Sequence, residues 1–343
     1  MIVYVIRRIA LLTITLLILA ATSYWLVYIF PGDPIANLSG INYDMLDQIG
    51  EIEEHYHTNQ ETVYQFLRYL ELLWVGDWGV SFVSGEPLFI EITTYLPASI
   101  ELGTYALFLS LIFGIPLGFV AGLNHNKSLD TAVRTVSLVG YSVPVSWFAL
   151  SLVVLFSLHY TWFPISGRVS LLYDIPQQTG FILYDILISD VKDKQEVIIN
   201  ALSHLILPTI SIAVVTCTII MRTTRRLVID VMQSDYIQAA YAKGLNARQV
   251  LLKHGLRNVL LPLMPHVVMQ FTTLLTNAMI VETIFAWPGI GNWLIQAIYS
   301  QDYPAIRAGM LAVAGLVVLI TVIADIIHML IDPTRMYDKG AKN

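Results

Sequence analysis

With one cysteine, Cys217, in 343 residues, the chain can form no internal disulfide and no cysteine-based metal cluster. Charge is scarce as well. Asp, Glu, Lys and Arg make up 13% of the residues and hydrophobic side chains 56%, whereas soluble domains carry roughly 25% charged residues. That deficit excludes an ordinary soluble globular protein, and a formal net charge of −6 argues against a nucleic-acid partner. The sequence has no G-x-x-x-x-G-K-[ST] phosphate loop, no H-E-x-x-H and no G-x-S-x-G. The chain is therefore expected to hydrolyse no ATP by itself, to bind no cofactor and to be no enzyme of those classes. No internal repeat and no inverted halves are visible.

What is present is a set of long apolar runs. Residues 9–30, 97–123, 131–160, 200–221, 263–285 and 308–331 are low in charge, and each is long enough to cross about 30 Å of hydrocarbon as a helix of about 20 residues. Arg7 and Arg8 precede the first run as in a signal peptide, but the run is longer than a signal's apolar core and ends in "PGDP" without a small-x-small cleavage site. It reads as a retained helix. The fold class is an all-α integral membrane protein of six transmembrane helices. Of the 19 Lys and Arg residues, only Arg68, Arg168, Lys192, Lys194 and Arg307 fall on the side away from the N-terminus. That asymmetry predicts an N-in, C-in topology.

The expected organisation is a single transmembrane unit over 1–343. It has a first helix at 1–30, an ordered extracytoplasmic loop at 31–96, a five-helix core at 97–331 and a cytoplasmic tail at 332–343. A cytoplasmic loop at 222–262 lies inside the core. The outer loop is acidic, with Asp44, Asp47, Glu51, Glu53, Glu54, Glu61 and Glu71, and its apolar Val63, Phe66, Leu67, Leu70, Leu73 and Trp74 recur at helical spacing. His55 and His57 in "EIEEHYH" stand two apart and would point to different faces, so no metal site is expected there.

Ionisable residues in the apolar runs are costly and draw attention. Glu101 follows "LPAS" and reads as an acid favouring the positive end of a helix that begins at Pro97 and Ser99. Asp325 and His328, three apart, read as a pair. Glu282 stands before Trp287, Pro288, Gly289 and Gly291 in "ETIFAWPGIGNWL". Pro-Gly-x-Gly breaks a helix and frees backbone groups that must be satisfied. A gate or pathway lining and a re-entrant corner serving packing alone both fit those five residues.

The stretch "SDYIQAAYAKGLNARQVLLKHGLRNVLLP", residues 234–262, is polar and basic yet helical in composition. Ala239, Ala240 and Ala242 lead to Gly244, which permits a sharp turn; Val250, Leu251 and Leu252 follow among Arg248, Lys253, His254 and Arg257. A solvated helix, an anionic-lipid contact and a docking element for a cytoplasmic partner are the three readings.

Here the residues carry a resemblance. "AAYAKG" followed by "HGLRNVLLP" resembles the cytoplasmic loop of binding-protein-dependent ABC importer permeases. Gln238 stands where that motif usually has Glu, and Pro262 comes later than in its general form; both departures occur in the peptide-importing branch. "RRIALL", "FPGDP", "GDWGVSF", "GYSVPVSW", "PISGR" and "ETIFAWPGIGNWL" resemble the same branch in the same order. The residues after Arg168 and "RMYDKG" at 335–340 are similar to dipeptide and Sap-type first permeases. The resemblance implies a multi-pass permease of the bacterial cytoplasmic membrane from the dipeptide, oligopeptide and nickel importer family, most in keeping with di- or oligopeptide cargo, or with cationic peptides and polyamines in the Sap-type alternative, while haem and nickel stay open as cargo. It implies as partners a second homologous permease, two cytoplasmic ATPase subunits that bind ATP and Mg, and an extracytoplasmic binding protein. Ala239, Ala240 and Gly244 would shape the coupling turn, with Leu245, Asn246, Val250 and Leu251 near the ATPase. From another class, an ATP-independent secondary transporter is the rival, although the matching broken halves common in such folds are not seen.

Overall fold

The structure is a computed structural model that describes residues 2–41, 49–58 and 60–331. Its elements in chain order are α1 (Ile2–Ile29), α2 (Pro34–Ser39), α3 (Ile49–Tyr56), α4 (Thr62–Val75), α5 (Leu88–Leu123), α6 (Ser128–Ser142) and α7 (Val145–Leu152). They continue with α8 (Ile182–Ile188), α9 (Lys194–Met232), α10 (Asp235–Ala242), α11 (Ala247–Val250), α12 (Leu256–Ile284), α13 (Ile290–Tyr299) and α14 (Tyr303–Ile331). Helix satisfies every peptide group within its own segment, which is what hydrocarbon demands. Among the described residues five helices are long and apolar enough to cross a membrane, and α6 with α7 and its π-helical end to His159, bent by 95°, is a broken sixth span or a re-entrant loop. The chain is an all-α integral membrane protein.

Several expected bounds shift. α5 begins at Leu88 and runs through Pro97, so the loop expected over 31–96 ends earlier. α9 extends from Lys194 to Met232 with Pro208 inside it. Pro262 and Pro265 lie within α12 and do not end it. Each proline removes one donor, but packed neighbours keep the helix in place. The expected 131–160 span is broken: α6 stops at Ser142, and Pro144, in extended geometry, starts α7. The expected Asp325–His328 pair lies outside the described residues, because the side chain of His328 is not among them.

The helices group into two compact units. One comprises the N-terminal part through Ser99 with Pro176–Asp185 and Pro288–Val322. Within it, α4 is the expected amphipathic helix, and it buries Tyr69 and Leu72 with Ala20, Tyr24 and Val27 of α1. Arg307 of α14 is buried and donates to Tyr69 Oη at 2.9 Å, Leu38 O at 3.2 Å and Trp78 O at 2.8 Å. Asp302 caps α14 through the Ala305 N–H and accepts the Ser81 hydroxyl at 2.5 Å. The turns after α2 and before α5 meet so closely that a Cβ on Gly40, at φ +81°, would stand 1.7 Å from Val80 O. The short helix that follows "FPGDP", through Leu38, and the motif "GDWGVSF", through Trp78 and Ser81, thus converge on Arg307 and Asp302.

The other unit comprises Ile100–Ile175, Ile186–Trp287 and the end of α14 from Ile323. Its centre is α9, against which α5, α6, α7 and α12 pack. Gly114, Gly118 and Gly122 of α5, at four-residue spacing, face Cys217, Ile220, Met221, Thr224, Arg225 and Val228 of α9. Small residues let the backbones approach, which is how helices associate without a hydrophobic drive in lipid. A Cβ on Gly118 would meet Thr224 Cβ at 2.6 Å and Met221 O at 2.7 Å. Asp130 at the start of α6 is fully buried and accepts two bonds from Arg225 of α9, at 2.5 and 2.8 Å.

Gly118→Leu is expected to destabilise the protein by roughly 1–3 kcal/mol, the usual range for overpacking, seen as a lower thermal midpoint in detergent. Ile112→Leu, on the exposed face of the same helix, is expected to leave the midpoint unchanged. Equal midpoints for both variants would contradict the close α5–α9 approach.

Candidate functional site

The 222–262 segment is mostly helix; only 233–246 outside α10 is connection. α10 starts after Ser234 and ends where the Lys243 and Gly244 N–H groups donate to Ala239 O and Tyr241 O. Gly244 takes φ +83°, the left-handed conformation that favours glycine. Asn246 then caps α11 reciprocally with Gln249: the Gln249 N–H donates to Asn246 Oδ1 at 2.9 Å, and the Asn246 N–H to Gln249 Oε1 at 3.1 Å. From Val250 the helix runs through a π-helical turn, Leu251–Gly255, into α12.

The named residues divide into two groups. Ala240 and Val250 are buried with Ile237 in a small core that includes Val231, Met232 and Leu245, and Leu251 is half-buried. These fix the shape of the element. Ala239, Gly244 and Asn246 are exposed, together with Ala242, Ala247 and Arg248, and a Cβ on Gly244 would touch nothing within 4 Å. The outward surface therefore sets small residues at Ala239, Ala242, Gly244 and Ala247 among larger exposed side chains at Gln238, Tyr241, Lys243 and Arg248, on a braced turn. The alternation of exposed and buried alanines was not readable from spacing alone.

The second group surrounds the end of α12. Glu282, Trp287, Gly289 and Gly291 are buried, and Pro288 is half-buried. The chain leaves α12 through Ala286 at φ +45°, and the Trp287 N–H donates back to Glu282 O at 2.8 Å. The "PISGR" loop is fastened here: the Gly167 N–H donates to Phe285 O at 2.9 Å, and the Arg168 guanidinium lies 5.4 Å from the Trp287 ring centroid. Arg168 also pairs with Glu101, both being buried. This corrects the expectation for Glu101: it stands well inside α5, not at a helix start, and its charge meets a guanidinium. Ser99 is likewise no cap for α5; its hydroxyl accepts the first N–H of α13, from Ile290, at 2.9 Å. Proline in a buried helix imitated a start signal.

Beyond Arg168 the loop turns at residues 170–173, held by the Ser170 N–H on Asn200 Oδ1 and by Tyr173 donating to Glu196 at 2.9 Å. That carboxylate pushes the Tyr173 phenol above its usual range. His55 sits 2.9 Å from Asp77, and no group of three metal-ligating side chains occurs among the described residues.

Apolar spans, interrupted helices inside them and an exposed, braced connection define a multi-pass membrane protein. Residues 1–103 match the model of the N-terminal part of binding-protein-dependent transport system membrane components. Residues 114–337 match that of the binding-protein-dependent transport system inner membrane component. The chain is 38% identical over 333 residues to the Di/tripeptide transport system permease protein DppB of Pseudomonas aeruginosa strain UCBPP-PA14, covering 97% of this chain and 98% of that one. It is 37% identical to the Putrescine export system permease protein SapB of Escherichia coli K12, over 98% of both. With the Dipeptide transport system permease protein DppB of the same strain it shares 32% identity, over 99% of this chain and 100% of that one. The chain belongs to the family of inner membrane components of binding-protein-dependent transport systems, and it is a multi-pass inner-membrane permease subunit.

Replacing Arg168 by Gln is expected to cost about 3–5 kcal/mol, as for breaking a buried ion pair from one side. The Glu101→Gln, Arg168→Gln double variant should lose less than the sum of the single losses. Thermal midpoints of the four proteins complete the cycle, and strictly additive losses would refute a direct pair.

Proposed function

We propose that this chain forms half of the transmembrane pathway of an ATP-driven importer of di- and oligopeptides, in an N-in, C-in orientation. A second homologous permease supplies the other half, two cytoplasmic ATPase subunits bind ATP and Mg, and an extracytoplasmic binding protein delivers the cargo. The chain itself carries no ATPase site. Names of relatives support the peptide class, and the exposed small-residue turn at Ala239, Gly244 and Asn246 supports docking of an ATPase. A braced turn with an exposed glycine admits close approach by a partner, and transmission needs contacts that differ between two states.

The SapB relative supports polyamine or cationic-peptide cargo as a second reading. Uptake assays with labelled dialanine and with putrescine separate the two.

Gly244→Trp is expected to leave the chain in the membrane and abolish ATP-driven dialanine uptake in vesicles holding the full importer. Gly244→Asn, which tolerates positive φ, is expected to keep most of it. Normal uptake by the Trp variant would end the coupling assignment, and uptake without ATP would move the protein to the secondary transporters.

A further inference from the structure

α12 is amphipathic in the sense opposite to a lipid-facing helix. Leu263, Val267, Leu274, Ala278 and Val281 are its buried face. His266, Met269, Thr273, Thr276 and Ile280 are exposed, Met269 to 67%, and their spacing of three and four places them on one face. α5 is the contrast. Its buried positions include Gly114 and Gly118, and its exposed ones are Phe108, Ile112, Phe113, Leu117 and Val120, which suit lipid. α7 and its π-helical end likewise expose Leu150, Val154, Leu155 and Leu158.

The polar atoms on the α12 face have a defined sense. Thr273 and Thr276 donate their hydroxyl protons to Met269 O and Thr272 O, both at 3.3 Å, and their oxygens keep free lone pairs. His266 Nδ1 lies 3.1 Å from Pro262 O, a contact within the helix that leaves Nε2 of the ring for another partner. The outward stripe thus presents hydroxyl oxygens and an imidazole, with no carboxylate, over about 15 Å at 1.5 Å per residue. Gln270, at the margin of this face, has a buried side-chain oxygen without a partner.

We propose that this face of α12, at His266, Thr273 and Thr276 with Met269 between them, lines the translocation pathway and receives the N–H groups of a peptide in transit. Acceptors without a carboxylate compensate desolvated amide and ammonium donors and hold none of them strongly. Met269 adapts to varied side chains. The inference rests on the importer reading above, and it names the part of this chain that meets the cargo.

The test uses the complete importer in detergent, with Cys217 replaced by Ala and single cysteines introduced as T273C, T276C or, on the lipid-suited face, I112C. A thiol in hydrocarbon forms little thiolate, so a membrane-impermeant thiol reagent should label T273C and T276C at least about tenfold faster than I112C. Dialanine under ATP turnover should slow labelling at these two positions alone. Labelling no faster than at I112C, or cross-linking of T276C to the second permease with no reagent access, would overturn the pathway assignment. Uptake of dialanine by the parent importer keeps the underlying reading intact in that case, whereas its absence removes both.

Discussion

Hydrocarbon gives a peptide group nothing to bond with, and that constraint orders this protein. Each span is helical because only a helix pairs its own donors and acceptors. Where the chain leaves helix inside an apolar region, side chains or neighbouring backbone take over. Ser99 accepts the opening N–H of α13. Gly167 donates to the last turn of α12 at Phe285. Pro144 opens α7 at the one bend where a missing N–H costs least. These stretches need no catalytic explanation, since each closes a break.

Buried charge follows the same logic. Arg168 with Glu101, and Arg225 with Asp130, place guanidinium against carboxylate inside one compact unit. Arg307, in the other unit, is held by two carbonyls and a tyrosine. Such groups are poor sources of net stability, because desolvation consumes most of the attraction. Their value is positional. A glycine seam between α5 and α9 fixes how near the helices come, and Arg225 against Asp130 fixes where α6 attaches along α9.

The spans, the amphipathic α4 and the turn at Gly244 were legible because they depend on local composition and period. What escaped depends on partners distant in sequence. Pro97 and Ser99 looked like a helix start, since a proline tolerated by packing and a proline at a first turn are identical in sequence. The bend at Pro144 was hidden because hydropathy stays high across it. The resemblance set Val250 near a partner surface, yet its side chain closes the core with Ile237 and Ala240. The polar face of α12 was obscured by averaging over an apolar window, although the spacing of His266, Thr273 and Thr276 was open to inspection.

That face gains its interest from what it is joined to. α9 continues past the apolar region to Met232, α10 packs back on it through Ile237, and α11 runs into α12 without a loop. From Asn246 onward no loop separates this surface from α12. The one departure from regular α-helix on that route is the π-helical turn Leu251–Gly255, a form that recurs at functional positions because it lets a helix shift register without breaking. Gly255 there admits the close packing of Leu251 and Met232, at 3.2 and 3.6 Å from where a Cβ would stand. On the coupling proposal, a register change at this turn would alter which groups α12 presents on its exposed face, and it would have to be accommodated by the close packing of α12 on α9.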